Sequence, residues 1–299
     1  MNRRSFLGTT TLTGLGLSVS GLLADESAQE EKTARQIAVF TKYFEHLDYA
    51  DLAEKIAPLG VSGLEAPLRK KGHIEPEEMT KELPAFNAAL AKKNLEVIIM
   101  ASSINAVDAR GLAEEQLRLA ARLGIKRYRL EHLKYDLSKP LAPQIANFKS
   151  QLSDLAALNK ACGIQGLYQN HRGNNFVGAP IWDMVDILSD IDPAHLGMAF
   201  DFAHAAVEGS NAWEINFRRA LPHIGAVFFK DYKVTGKKWS ACPLGEGMVN
   251  PKAGKLVSRM LPTNIPASIH IEYISGEDVV DRSVEAMRHD FATLQKWLG

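Results

Sequence analysis

Short apolar runs rich in β-branched residues alternate with longer stretches of helical periodicity along most of the chain. The first run, Ile37–Phe40, precedes a stretch in which Leu52, Ile56 and Leu59 recur at helical spacing. This order repeats, and it predicts an α/β fold with parallel strands. The predicted strands are Ile37–Phe40, Val61–Ala66, Leu95–Ser102, Ile125–Leu130, Ile164–Gln169, Leu196–Phe202, Ile224–Asp231 and Ala267–Tyr273.

Helical patterns follow most of these runs, and the chain closes on a long one. Two of the helices end in Leu-Gly (Leu59-Gly60 and Leu123-Gly124), which is a common helix terminator. Eight such units without a break in composition predict one TIM (β/α)8 barrel over residues 35–299. The predicted helical segments are 47–60, 75–93, 112–123, 143–162, 181–188, 212–220 and 279–298. No GxGxxG or Walker loop follows the first strand, so a nucleotide-binding Rossmann domain is disfavoured.

The N-terminal residues have the character of an export signal. Arg3 and Arg4 precede Ser5-Phe6-Leu7 and a weakly apolar run rich in Gly and Thr, with Ala24 as a small residue at a plausible cleavage point. The run is too short and too polar for a stable membrane span. We therefore expect a twin-arginine (Tat) signal at residues 1–24, a disordered acidic spacer at 25–34 and a periplasmic protein handled by the Tat export machinery.

Composition excludes several classes of protein. The formal net charge is zero, so no basic field favours nucleic acid as a partner. The two cysteines, Cys162 and Cys242, form no CxxC pair, which excludes a cysteine-based metal knot or disulfide framework. The hydrophobic content of 46% is ordinary for a globular protein. Composition leaves the oligomeric state open.

Polar and ionisable side chains collect at the ends of the predicted strands. Active sites of TIM barrels lie at the carboxyl ends of the strands, so these positions are the candidates for chemistry. They are Glu65 on the second strand, Arg129, Glu131 and His132 on the fourth, Gln169, Asn170 and His171 on the fifth, Asp201 and His204 at the sixth, Lys230 and Asp231 on the seventh, and His270 and Glu272 on the eighth.

Four of these residues are candidates for proton transfer. The carboxylate of Glu272, the imidazoles of His171 and His204 and the ammonium of Lys230 could together move protons to and from a carbon acid. If Lys230 is desolvated beside Phe228, its pKa is expected to fall. Each residue also has a structural interpretation, as a hydrogen-bonded loop histidine or as a lysine that neutralises a neighbouring acid.

Five segments in this order resemble the xylose isomerase-like TIM barrel superfamily, also called the sugar phosphate isomerase/epimerase or AP endonuclease family 2 group. They are "QNHRG" after the fifth strand, "GMAFDFAH" at the sixth, "VFFKD" at the seventh, "PLGEGMV" in the following loop and "IHIEY" at the eighth. The resemblance covers the chain from about residue 36. It implies a TIM barrel and an isomerase or epimerase that acts on sugars.

In that family Glu, Asp, His and Glu on strands five to eight usually bind a divalent metal, and the two Glu side chains move a proton. The corresponding positions here are Gln169, Asp201, Phe228 and Glu272, so two of the four ligands differ. Gln169 cannot act as a base, although its amide oxygen could bind a hard cation. The resemblance therefore implies a divalent metal (Mn, Mg, Co or Zn) held by Asp201, Glu272 and Gln169 in an altered site.

Six residues are candidates for substrate binding. An amide can hold a sugar hydroxyl, an acid can do the same, and an aromatic ring can pack against the apolar face of a sugar. Trp239 could stack on a sugar ring, and Phe228 could form an apolar wall. The candidates are Gln169, Asn170, Phe228, Glu246, Trp239 and Glu65.

Two hypotheses on function remain. The first is an exported enzyme that transfers a proton next to the carbonyl of a sugar or keto-sugar, for isomerisation, epimerisation or elimination, with Glu272 as base or metal ligand. The second is a non-catalytic or metal-independent carbohydrate-binding barrel, because Gln169 and Phe228 replace expected ligands. In both cases the expected partner is a small carbohydrate, without nucleic acid and without stable membrane insertion.

Overall fold

The computed structural model describes residues 34–236 and 238–299. Within them, eight parallel strands close into a barrel in which every strand pairs with its neighbours in chain order, so the protein is a TIM (β/α)8 barrel. A two-stranded antiparallel hairpin, β8–β9, lies between the seventh and eighth barrel strands. The strands are β1 Ile37–Phe40, β2 Gly63–Pro67, β3 Glu96–Ala101, β4 Arg127–Arg129, β5 Gln165–Gln169, β6 Leu196–Asp201, β7 Ile224–Phe229, β8 Asp231–Thr235, β9 Lys238–Cys242 and β10 Ala267–Ile269.

Helices cover the outside of the barrel. Their apolar faces and the outward side chains of the strands form one continuous hydrophobic layer. The helices are α1 Tyr49–Ile56, α2 Met79–Ala91, α3 Leu112–Arg122, α4 Leu141–Cys162, α5 Trp182–Leu188, α6 Phe202–Gly209, α7 Trp213–Ala220, α8 Pro251–Met260 and α9 Val279–Leu298. The predicted fold class and all eight barrel strands are thus confirmed.

The barrel interior has its own small apolar core, separate from the layer under the helices. It consists of inward-facing side chains that alternate along the strands with the outward-facing ones. This core supports the polar side chains at the carboxyl ends of the strands from below. Its members are Ala38, Ile98, Ile99, Leu167, Ala199, Ala226 and Phe228.

The structure adds elements that the pattern did not predict. The hairpin begins at Asp231, two residues after the end of β7. Its sequence includes exposed lysines and a threonine and has no continuous apolar run. Helix α8 begins at Pro251 after Asn250, whose side chain accepts a hydrogen bond from the amide of Lys252, and Gly254 interrupts its apolar face. Gly254 packs so closely on Trp297 that an added Cβ would lie 2.5 Å from the Trp297 Cβ.

Predictions for the N-terminus concern residues outside the described part of the chain. The Tat signal at 1–24 and most of the spacer at 25–34 fall there, so export and a periplasmic location stay predictions. Across residues 34–236 and 238–299, no helix combines the length and the apolarity needed to cross a bilayer.

Candidate active site

Two adjoining cavities open at the carboxyl ends of the barrel strands. The smaller one, here called the floor cavity, has a volume of about 150 Å³, and the larger outer cavity has a volume of about 390 Å³. The two share four lining residues, so they form the inner and outer parts of one depression. The floor cavity is lined by Phe40, Lys42, Arg69, Arg129, His132, Gln169, His171, Lys230, His270 and Glu272. The outer cavity is lined by Lys42, Tyr43, Glu45, Arg69, Lys70, Lys71, Ser102, Ser103, Arg129, Leu130, Glu131 and His132.

Lys230 forms the centre of the floor cavity. Its Nζ lies 3.2 Å from Oδ2 of Asp201 and 3.2 Å from Oε1 of Glu272. The lysine side chain is only 3% exposed, and the Asp201 side chain is fully buried. A single buried ammonium therefore joins two carboxylates that come from different strands, and three of the predicted site residues meet at one point.

The charge of Lys230 is stable in this setting. Burial opposes the ammonium, but the carboxylates of Asp201 and Glu272 outweigh it and raise the pKa of Lys230 above its ordinary value. The expected fall of the Lys230 pKa is therefore wrong in direction. The structural interpretation of Lys230, a lysine that neutralises a neighbouring acid, agrees with this geometry, because Asp201 and Glu272 approach it from the ends of the two strands that flank β7.

Glu272 is the most accessible acid at this point, with 22% of its side chain exposed. One oxygen faces Lys230, and Nζ of Lys42 lies 3.6 Å from the same oxygen, while the hydroxyl of Tyr232 donates to the other oxygen. Burial alone would raise the pKa of Glu272, but Lys230, Lys42 and the Tyr232 hydroxyl hold it well below its usual range. Glu272 is thus ionised throughout the physiological range.

A buried chain of hydrogen bonds fixes the orientation of Gln169. Arg129 donates from Nε to Glu65 at 2.7 Å and from a terminal nitrogen to Oε1 of Gln169 at 3.0 Å. Because a guanidinium can only donate, the amide oxygen must face Arg129, and the amide nitrogen donates to Oδ2 of Asp201 at 2.7 Å. His270 completes the chain with a 2.7 Å contact from Nε2 to Glu65.

Three imidazoles stack beside the floor cavity. The ring centroid of His171 lies 3.9 Å from that of His204 and 4.8 Å from that of His132. Burial and the charge of Lys230 lower the pKa of both His171 and His204, so these imidazoles are neutral. His171 lines the cavity, whereas His204 is 1% exposed, and neither of its ring nitrogens has a hydrogen-bond partner among the described residues.

The predicted metal ligands do not fit a divalent cation as they are arranged. The Lys230 ammonium lies between Asp201 and Glu272, and Gln169 turns its amide nitrogen, not its oxygen, toward Asp201. In the part of the chain that the structure describes, no three or more His, Cys, Asp or Glu side chains are grouped so as to hold a metal. Metal binding stays a prediction, and the function proposed below is argued without it.

Three predicted substrate-binding residues lie below the cavities and do not line them. The Asn170 side chain exchanges two hydrogen bonds with the backbone of Asp201, at 3.0 and 2.8 Å, which aligns the ends of β5 and β6. Phe228 is fully buried in the barrel interior, with its ring 4.6 Å from that of His270. Glu65 is fully buried against Arg129 and His270. These residues position the site from beneath.

The other two, Trp239 and Glu246, line neither cavity. Trp239 is 39% exposed on the β8–β9 hairpin, paired with Val234. Glu246 is exposed in the 243–249 loop, and this loop is organised by Asp231. The Asp231 carboxylate accepts hydrogen bonds from the backbone of Tyr232, Gly245, Gly247 and Val249 at 2.8–3.0 Å. The PLGEGMV segment thus forms a turn that is held together by the Asp231 carboxylate.

Replacing Asp231 by Ala is expected to destabilise the protein by about 2–3 kcal/mol, because four backbone donors lose their acceptor in a largely buried position. Urea denaturation followed by circular dichroism would measure this. Asp190→Ala is the matched control, because Asp190 forms only an exposed ion pair with Lys149 and should change the free energy of unfolding by less than about 1 kcal/mol. Equal effects of the two substitutions would contradict the assignment.

Several lining residues have no predicted role in catalysis, substrate binding or metal binding. Arg129, His132 and His270 are among the strand-end candidates of the sequence, and that position is the signal that points to them. Lys42 and Arg69 follow the ends of β1 and β2 in the same way. Tyr232 lies on the hairpin, and no sequence signal connected it with Glu272.

Solved structures share this fold. The probable 3-DHS dehydratase involved in petrobactin synthesis from Bacillus anthracis is 16% identical, with 87% of this chain and 98% of that chain covered and a TM-score of 0.64. 3-Keto-D-glucoside 4-epimerase from E. coli is 16% identical, with 88% of this chain and 99% of that chain covered and a TM-score of 0.65. D-Psicose 3-epimerase from Clostridium cellulolyticum H10, in structures with D-tagatose, is 13% identical, with 88% of this chain and 99% of that chain covered and a TM-score of 0.65.

At these identities the similarity establishes the shared fold. The comparison with curated proteins gave no significant match. The sequence model described as "Xylose isomerase-like TIM barrel" matches residues 53–292, which is most of the chain. The protein therefore belongs to the xylose isomerase-like TIM barrel family.

Proposed function

We propose that the protein is an enzyme that transfers a proton next to the carbonyl group of a sugar or keto-sugar. The observation that carries the proposal is the Lys230 ammonium, held 3.2 Å from two carboxylates at the floor of an open cavity. A fixed positive charge and an ionised carboxylate side by side are what enolate chemistry requires: one stabilises the developing oxyanion and the other takes the proton.

Lys230 is the electrophile in this proposal. The substrate carbonyl oxygen accepts a hydrogen bond from the ammonium, which is fixed by Asp201 and needs no reorganisation when negative charge develops on that oxygen. Asp201 is itself held by the Gln169 amide and by the backbone N–H of His204. Gln169 therefore holds Asp201 in place, and Asp201 in turn holds Lys230. In this proposal the Gln169 amide is a positioning group and transfers no proton.

Glu272 is the base. It removes the proton from the carbon next to the carbonyl, and the electron pair of the C–H bond moves to the carbonyl oxygen as an enolate beside Lys230. In the free protein Lys230 and Lys42 make Glu272 a weak base. When the substrate oxygen accepts a hydrogen bond from the ammonium, Lys230 interacts less strongly with Glu272. The pKa of Glu272 then rises, and its carboxylate becomes a better base. The neutral imidazole of His171 can then carry a proton to or from a substrate hydroxyl.

The comparisons support a sugar as the substrate class. Of the three similar structures named above, two are called epimerases, of 3-keto-D-glucoside and of D-psicose, and one is called a probable dehydratase. Epimerisation, isomerisation and elimination can all begin with removal of a proton next to a carbonyl. The proposal therefore covers this shared first step and leaves its outcome to the substrate.

The test is exchange of carbon-bound hydrogen with solvent. Purified protein, with and without prior chelator treatment, is incubated in D2O with a panel of ketoses, keto-sugars and sugar acids, and loss of the proton next to the carbonyl is followed by NMR. We expect exchange with one class of sugar, and we expect it to survive chelation. Because Lys230 already compensates the carboxylates, added Mn²⁺ should give no increase in the melting temperature.

Two outcomes would count against the proposal. Exchange that disappears on chelation and returns with Mn²⁺ would assign the electrophile to a metal held by Asp201, Glu272 and Gln169. Sugar binding without exchange would favour the second hypothesis, a carbohydrate-binding barrel. Gln169 is consistent with that hypothesis, because both ends of its amide form hydrogen bonds and it cannot accept a proton.

A further inference from the structure

The wall of the outer cavity is rich in positive charge. Five cationic side chains line it, namely Lys42, Arg69, Lys70, Lys71 and Arg129, against the two carboxylates of Glu45 and Glu131. The charges deeper in the floor cavity are paired with one another, as Lys230 is with Asp201 and Glu272. Two of the five rim cations are paired as well, Lys42 with Glu272 and Arg129 with Glu65. The positive charge that forms no ion pair in the described residues is therefore that of Arg69, Lys70 and Lys71 at the rim.

Arg69 is a half-buried cation of this wall that forms no ion pair in the described part of the chain. Its guanidinium lies over the Phe40 ring at 5.7 Å, and that of Arg129 lies over the same ring at 5.1 Å. Arg129 binds Glu65 and Gln169, whereas the Arg69 side chain forms no hydrogen bond or ion pair within residues 34–236 and 238–299. Arg69 is half-buried. Burial and the charge of Arg129 lower its pKa, and the carboxylates of Glu45, Glu65 and Glu131 offset this only in part.

The backbone fixes Arg69 at this place. The Gly72 amide donates to the Arg69 carbonyl at 2.7 Å, and the His73 amide donates to the Pro67 carbonyl at 2.7 Å, so the segment Arg69–Gly72 folds tightly onto the end of β2. A Cβ at Gly72 would lie 2.3 Å from the Pro67 carbonyl oxygen, so only glycine fits there. Lys71 has a φ of 60°, a left-handed conformation that is strained for lysine.

A half-buried guanidinium that is held in place, forms no direct ion pair and faces a cavity can bind an anion. We propose that the sugar bound by this protein carries a carboxylate or phosphate group, and that Arg69 binds this group in the outer cavity, with Lys42 and Lys70 beside it. This inference rests on the proposed function for the position of the sugar, whose reacting carbon lies over Lys230 and whose anionic end points to the rim.

The two cavities together suit such a substrate. The outer cavity, with a volume of about 390 Å³, falls in the range of small-molecule sites, about 300–1,000 Å³, and the floor cavity extends it inward by about 150 Å³. Arg69, Lys42 and Arg129 line both cavities, so one ligand can contact the floor and Arg69 at once. The serines and charged groups in the lining of the outer cavity can hydrogen-bond an anionic head group.

The test compares matched anionic and neutral sugars by isothermal titration calorimetry. The ligands are glucuronate and its neutral amide, glucuronamide, for the carboxylate, and glucose 6-phosphate and glucose for the phosphate, with sodium sulfate as the control for ionic strength. We expect one anionic member to bind at least about tenfold more tightly than its neutral partner, since a charged hydrogen bond stabilises by roughly 1.4 kcal/mol or more.

Arg69→Met is expected to abolish this preference and to leave the affinity for the neutral sugar unchanged. Arg122→Met is the matched control, because Arg122 is an exposed arginine of α3 that lines neither cavity, and it should leave both affinities unchanged. A preference for glucuronate assigns a carboxylate, and a preference for glucose 6-phosphate assigns a phosphate. Equal affinities for charged and neutral sugars, or a preference that persists in Arg69→Met, would overturn the inference.

This design distinguishes a failure of the anion site from a failure of the proposed proton transfer. Tight, Arg69-dependent binding of an anionic sugar without hydrogen exchange would leave the anion site standing and overturn the proposed function. Hydrogen exchange with neutral sugars alone, independent of Arg69, would support the proposed function and overturn the anion site.

Discussion

Replacing Glu272 by Gln is expected to lower kcat/KM by about 10²–10⁴-fold, the range attributed to a general base. The amide keeps the size of the side chain and can still contact Lys230, but it cannot accept a proton from carbon. The fold should persist, because Lys230 retains Asp201 as its ionic partner. The measurement is the rate of hydrogen exchange or product formation with the sugar found in the NMR panel, together with the circular dichroism spectrum and the melting temperature.

Glu277→Gln is the control for this variant. Glu277 is an exposed glutamate in the same loop after β10, and it lines neither cavity, so its replacement should leave the rate unchanged. A Glu272→Gln enzyme with wild-type rates would remove Glu272 from the reaction and leave His171 as the candidate base. A variant that is slow only because it is unfolded would be recognised by its spectrum.

Replacing Lys230 by Met is expected to cost about 3–5 kcal/mol of unfolding free energy at neutral pH, because removal of one partner leaves buried charge without compensation. Asp201 and Glu272 would then be two carboxylates close together, with Lys42 as the one cation left within 4 Å of Glu272 among the described residues. Hydrogen exchange should be lost as well, since the ammonium that would stabilise the enolate is gone. Urea denaturation at several pH values measures the stability.

The pH dependence of the two proteins should differ in sign. In the wild-type protein the pKa of Glu272 is lowered on folding, so its contribution to stability is complete above the ordinary pKa of Glu, about 4.3, and is lost as pH falls below that. In Lys230→Met the main charge that lowers the pKa of Glu272 is absent, while burial, which raises this pKa, remains. The penalty is therefore largest at neutral pH and shrinks as pH falls and carboxylate charge is neutralised.

The difference in unfolding free energy between the two proteins should therefore narrow between pH 7 and about pH 5. Lys233→Met serves as the control, because Lys233 is an exposed lysine of β8 and should change stability by less than about 0.5 kcal/mol. If Lys230→Met does not fold at neutral pH, the double variant with Asp201→Asn removes one of the uncompensated charges and should recover stability. A Lys230→Met protein as stable as wild type at pH 7 would show that the ammonium does not hold these carboxylates.

The barrel was predictable because its signal is local and repeated. Each strand carries its own apolar run, and the bounds of β1, Ile37–Phe40, and of the last helix, Val279–Leu298, agree with the structure. The hairpin β8–β9 and helix α8 were missed for the opposite reason. Their residues are polar or interrupted by glycine, and they are ordered by contacts with Asp231 and with Trp297 that are distant in sequence.

The location of the site was also within reach of the sequence. In a TIM barrel all strands run in one direction, so polar residues that follow the apolar runs must meet at one rim, and Gln169, His171, Lys230 and Glu272 do. The same rule did not separate lining residues from supporting ones. Asn170 and Phe228 follow the strand pattern as well as Gln169 does, yet one bonds to backbone and the other fills the barrel interior.

The sequence by itself determined the fold, the rim at which chemistry can occur and the kinds of side chain present there. Only the tertiary structure decided which charges form ion pairs: Lys230 pairs with Asp201 and Glu272, Arg129 pairs with Glu65, and Arg69 forms no ion pair in the described part of the chain. The reason is physical. Strand periodicity is set by neighbours along the chain, whereas a pKa, an amide orientation or an uncompensated charge is set by atoms on other strands within a few ångströms.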